Sequence, residues 1–192
     1  MQRTRLVTSV LVLAVGAIAV AAVRPAPVAQ EMPQPQEQHK HILAAVGEWE
    51  GTLTSFMMPG APPMTVPAQE SISAIGGFWT QSRFTCEFMG MPYLGTGCVG
   101  FDTTKEKVVG TWIDNMSSYL AIMEGEMDLA TGKVVMHYQA PDDMTGAMTH
   151  HRIESVSTGD SYTSTFFKGE GAGTKSMVID MKRKRAAPAG TR

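Results

Sequence analysis

Residues 107–128 read KVVGTWIDNMSSYLAIMEGEMD. A polar break, Asp114-Asn115-Met116-Ser117-Ser118, divides two strand-like runs, and in the second run Tyr119, Ala121, Met123 and Met127 share one parity while Glu124 and Glu126 take the other. A repeat of two residues belongs to a strand with one face buried and one in water, and a short Asp-Asn break joins two such strands antiparallel.

The period continues in both directions. Trp49, Gly51 and Leu53 oppose Glu48, Glu50, Thr52 and Thr54, while Met177, Ile179 and Met181 oppose Asp180 and Lys182. Turn chemistry falls between the runs at Pro59-Gly60, Gly76-Gly77, Asp102 to Lys105, Ala130-Thr131-Gly132, Pro141-Asp142-Asp143, Gly159-Asp160 and Gly169 to Gly173. Strands are therefore expected near 47–57, 65–75, 78–88, 94–101, 106–114, 119–127, 133–139, 146–156, 161–168 and 174–184, with one helix over Glu37–Val46. Such an all-β chain closes as an up-and-down barrel or packs as two sheets. Closure removes the edges on which strands aggregate, so the expected fold is an antiparallel up-and-down barrel of about ten strands whose N-terminal helix can plug one mouth.

The ends of the chain have a different composition. Arg3 and Arg5 precede an uncharged apolar run from Leu6 to Val23, and Ala19-Val20-Ala21 offers the small-x-small pattern of a signal-peptidase site. Residues 1–21 read as a signal peptide, which makes the chain periplasmic or secreted; uncleaved, the run would instead anchor it in a membrane. Residues 22–38 are a linker, since the stretch from Arg24 to Gln38 carries four prolines and four glutamines. The barrel domain occupies 39–185, and 186–192 form a disordered tail. A formal net charge of −2 leaves no electrostatic footprint for nucleic acid. The basic run Lys182-Arg183-Lys184-Arg185 reads as a solvated terminus.

Seven segments, VGEWEG (46–51), MPGAPPM (58–64), GGFW (76–79), GMPYLGTGCVGFD (90–102), KVVGTWID (107–114), MEGEMD (123–128) and TGK (131–133), resemble a bacterial family of exported proteins, domain-of-unknown-function family 1579. The resemblance runs from His39 to Arg183 and implies a calycin-like or lipocalin-like barrel, with no activity attached. Cys86 and Cys98 look like a departure from the family's common pattern, so any chemistry of theirs is particular to this chain.

Those cysteines, the only two in the sequence, permit three readings: a disulfide, two free buried thiols, or part of a metal site. With the turn centred on Pro92, positions 86 and 98 would face one another within bridging distance, and export favours the bridge. Gly95-Thr96-Gly97 leads into another strand instead of a helix and so is no phosphate loop; the two glycines clear a strip for a neighbouring backbone or a large side chain. Fifteen methionines and five histidines suggest a soft-metal (copper) binder. The alternating methionines read more simply as core filler, and His39/His41 and His150/His151 diverge, so no metal or other cofactor is assigned. No catalytic motif is present, and Asp142-Asp143 reads as a solvated turn. What remains is the barrel interior, where Trp49, Phe84, Trp112, Tyr119, Met123 and Tyr138 either line a site for a small apolar molecule or fill a core.

Overall fold

The computed structural model describes residues 32–56, 60–142 and 145–185. The regions read as a signal peptide and as a C-terminal tail lie outside the described residues. Among the described residues no helix is long and apolar enough to cross a membrane.

The elements are α1 (Glu37–Leu43), β1 (Gly47–Ser55), β2 (Met64–Ile75), β3 (Trp79–Phe88), β4 (Met91–Asp102), β5 (Lys107–Asp114), β6 (Ala121–Asp128), β7 (Lys133–Pro141), β8 (Met148–Ser157), β9 (Ser161–Lys168) and β10 (Thr174–Arg183). Every strand pairs antiparallel with its neighbour in sequence, and β1 also pairs with β10, from Trp49 opposite Arg183 to Ser55 opposite Met177. The sheet is thus a closed up-and-down barrel of ten strands. The helix is shorter than the sequence suggested. Tyr119 precedes β6, where its backbone N–H donates to Ser117 Oγ at 3.0 Å.

Two apolar clusters fill the barrel. Trp49, Leu53, Ala68, Phe84 and Met181 form one; Ile42, Phe101, Val108, Met123 and Met136 form the other. Trp112 packs against both. Its indole lies in the strip left by two inward glycines of β4: Gly97 stands directly opposite Trp112, and a Cβ there would come within 2.7 Å of the indole Cε3. The strip expected from the parity of Gly95 and Gly97 is therefore occupied by a large side chain.

The helix closes one end. His39 is 1% exposed, accepts the Gln36 N–H on Nδ1 at 2.9 Å and donates from Nε2 to the Phe101 carbonyl at 3.0 Å. The rings of Phe78 and Phe101 meet it edge-on. Arg183 corrects the reading of a solvated basic terminus. Its guanidinium lies 4.3 Å over the Trp49 ring and donates to the carbonyls of Val46 at 2.6 Å, Ala44 at 2.8 Å and Gly159 at 3.1 Å.

The expected Cys86–Cys98 bridge is also corrected. The β3–β4 turn is Met89-Gly90, with φ of 53° and 75°, the positive angles that suit the twist of a two-residue hairpin. Pro92 sits inside β4 opposite Glu87. This register places Cys86 against Tyr93 and Cys98 against Gln81. Directly opposed residues share a face and successive residues alternate, so the two sulfurs lie on opposite sides of the sheet. Both thiols are free. Burial pushes that of Cys86 up.

Candidate functional site

The end remote from the helix carries the candidate site. Here Asp114 terminates β5 and organises the loop that follows: its Oδ1 accepts the N–H groups of Met116 at 2.9 Å and Ser117 at 3.0 Å. Asn115 ties that loop to β4, donating to the Pro92 carbonyl and accepting the Leu94 N–H, both at 2.8 Å. Below the loop, Trp112 Nε1–H donates to the Tyr93 hydroxyl at 3.2 Å, and that hydroxyl donates to Asp114 Oδ2 at 3.3 Å. Burial, with the Asp114 charge beside it, holds the Tyr93 phenol well above its ordinary range. The chain Trp112–Tyr93–Asp114 fixes the indole and the loop together.

Against this mouth, on the wall formed by β6, β7 and β8, lies a depression of about 360 Å³ lined by Tyr119, Leu120, Ile122, His137, Tyr138, Gln139 and His150. Leu120 is 50% and Ile122 64% exposed. Tyr138 stacks on His151, with centroids 4.8 Å apart. His137 Nδ1 and His150 Nε2 are 3.1 Å apart, and the two rings lie 21° from parallel. The His137 pKa is lowered by partial burial and by the nearby His150 and Arg152, so its imidazole stays neutral at neutral pH. A second depression, of about 470 Å³, lies at the helix end and is lined by Gln36, Gln38, Phe101, Thr103, Glu106, Glu126 and Met127; polar and acidic side chains outnumber the apolar ones there.

Of the six side chains the sequence nominated, the structure gathers only two in the depression, Tyr119 and Tyr138. Trp49, Phe84 and Met123 are 2%, 3% and 6% exposed. All three belong to the two buried apolar clusters of the barrel. Trp112 stands between the two groups, bound to the mouth through Tyr93.

Sequence reading missed three polar pairs. Glu70 shares the inward parity of Val66, Ala68 and Ile72 on β2, and its carboxyl accepts the Tyr162 hydroxyl. Burial raises the Glu70 pKa, with the Tyr162 and Ser82 hydrogen bonds opposing it only in part. An acid on an apolar parity was the available signal. Asp142, read as solvated, is 7% exposed, pairs with Lys168 and accepts the Thr145 N–H at 2.7 Å; its neighbour Asp143 lies outside the described residues. The third pair, His137 with His150, spans β7 and β8 diagonally, because the residues directly opposite them are Arg152 and Gln139.

A closed ten-stranded antiparallel barrel with a helix over one end and an aromatic depression at the other defines a calycin-like architecture. Residues 34–185 match the family described as protein of unknown function DUF1579, and the chain belongs to that family. No curated protein matches the chain.

Proposed function

We propose that this chain is an exported, non-catalytic barrel protein that takes up a small, largely apolar molecule at the mouth remote from its helix. The depression beside Tyr119 carries the reading: Leu120 and Ile122 offer exposed apolar surface, while two tyrosine rings and two imidazoles add rigid contact area and polar handles. The burial of Trp49, Phe84 and Met123 supports putting the contact surface at the rim and outer wall. Burying ~200 Å² of apolar ligand surface contributes about 5 kcal/mol before association costs, which suits weak to moderate binding. Export rests on Arg3, Arg5 and the apolar run that follows them.

Native mass spectrometry of the protein purified from its own envelope, together with tryptophan fluorescence titrated against extracted lipids, tests the proposal. The expected result is a bound mass, and a fluorescence response that Ile122→Glu weakens about tenfold, the loss of one buried aliphatic contact. A bare polypeptide mass with unresponsive tryptophans overturns it. That outcome favours a second reading, a partner-binding envelope domain, which the exposed rim residues Met89, Met91, Leu94 and Ile113 support.

A further inference from the structure

We propose that His137 and His150 form an open, two-histidine site for a borderline divalent metal ion of the Zn²⁺, Cu²⁺ or Ni²⁺ class. The inference stands on this pair alone and does not depend on the apolar ligand proposed above, although both would share one wall of the depression.

The spacing is the first argument. Two imidazole nitrogens held about 2.0–2.1 Å from one ion, at angles between square and tetrahedral, stand roughly 2.9 to 3.4 Å apart. His137 Nδ1 and His150 Nε2 are separated by 3.1 Å. Imidazole suits these ions.

The tautomers supply the second argument. His150 Nδ1 lies 3.4 Å from the Gly169 carbonyl, which can only accept, so Nδ1 carries the proton and Nε2 presents its lone pair towards His137. A ligating histidine whose other ring nitrogen donates to a backbone carbonyl has the outer-shell support that metal sites use. In the apo protein His137 Nδ1–H donates to that lone pair. On metal binding the His137 proton moves from Nδ1 to Nε2, both lone pairs turn onto the ion, and no net proton is released.

The surroundings allow a cation. Arg152, opposite His137, is near enough for its charge to act on that imidazole, but its guanidinium is engaged elsewhere: it donates to the carbonyls of Gly171 at 2.8 Å and Ala172 at 3.0 Å and lies 4.2 Å over the Phe167 ring. Glu124, opposite His137 across β6, pairs with Lys105, and Glu126 bonds Lys107 at 2.9 Å. Among the described residues no three histidine, cysteine or acidic side chains converge on one point. The protein thus supplies two donors and leaves the remaining positions to water, which predicts micromolar rather than tighter binding. His39 cannot contribute, since both its ring nitrogens are engaged at the helix.

The test titrates CuSO₄ and ZnCl₂ separately into the full-length apo protein, by calorimetry and, for copper, by electron paramagnetic resonance. One ion per chain with two nitrogen donors is expected. His137→Ala and His150→Ala should each weaken binding at least about tenfold, and His41→Ala should change nothing. Thermal melting of each variant checks folding, and His137→Asn and His150→Asn repeat the comparison where an alanine melts early. No binding, binding unchanged in the His137 and His150 variants, or binding lost on His41→Ala overturns the site.

Discussion

The indole of Trp112 occupies the volume that the missing side chains of Gly95 and Gly97 leave free on β4. Gly95→Ala drives a methyl into that ring, in a region where the Trp112 Nε1–H bond to Tyr93 restricts retreat. The expected cost is about 1–3 kcal/mol of overpacking, measured by urea unfolding; a variant as stable as the parent would show that the indole moves freely. Glu70 provides a second residue-scale test. Its native pKa is raised above the ordinary glutamate value of 4.5, so the native state holds the proton more tightly than the unfolded chain does. The stability this contributes is complete below about pH 4.5 and is lost as pH rises through the native pKa. Glu70→Gln stays neutral and still accepts from Tyr162. Its melting temperature should match the parent's at pH 4 and exceed it at pH 7; a gap that closes on raising the pH contradicts the assignment.

At the scale of elements, α1 is held in the barrel end by one buried imidazole and one guanidinium. Removing Arg183 strips three backbone carbonyls of a charged donor and uncovers the Trp49 ring. Arg183→Ala should therefore cost about 2 kcal/mol in chemical denaturation, with faster amide exchange in the residues of α1 and little change at the far mouth; uniform acceleration across the barrel would count against a local latch. The strands themselves were legible in the sequence, because alternation and turn residues are local signals. The register of one hairpin was not. Pro92 looks like a turn residue, yet it sits in β4 opposite Glu87, while the turn uses Met89, a residue that gives no sign of adopting a φ of 53°. That shift moves Cys98 to the other face from Cys86. Alkylation of unreduced, denatured protein should accordingly label both thiols, and an unlabelled, bridged mass would restore the disulfide.

On the scale of the whole molecule, contacts that decide chemistry depend on more than local pattern: Tyr162 meets Glu70 only because the barrel closes, and His150 meets His137 through the register of β7 on β8. Periodicity predicts which side chains face inward, but not which of them seal a core and which reach a mouth. Trp49 and Tyr138 share an inward parity and yet end in different surroundings, because helix and Arg183 cap one end while the other is bounded by loops. Closure itself depends on the last strand. β10 pairs on one side with β1 and on the other with β9, and it delivers Met181, 1% exposed, to the core. A chain ending at Gly173 would leave β1 and β9 as two long edges with unpaired N–H and C=O groups, the arrangement that templates aggregation. It should precipitate or form soluble aggregates on size exclusion. A synthetic peptide covering residues 174–185, added during refolding, should recover a monomer-sized complex by supplying the missing pairings. If the shortened chain instead elutes as a monomer with the parent's circular dichroism and melting temperature, the seam between β1 and β10 does not hold the barrel together, and the core clusters alone must account for its stability.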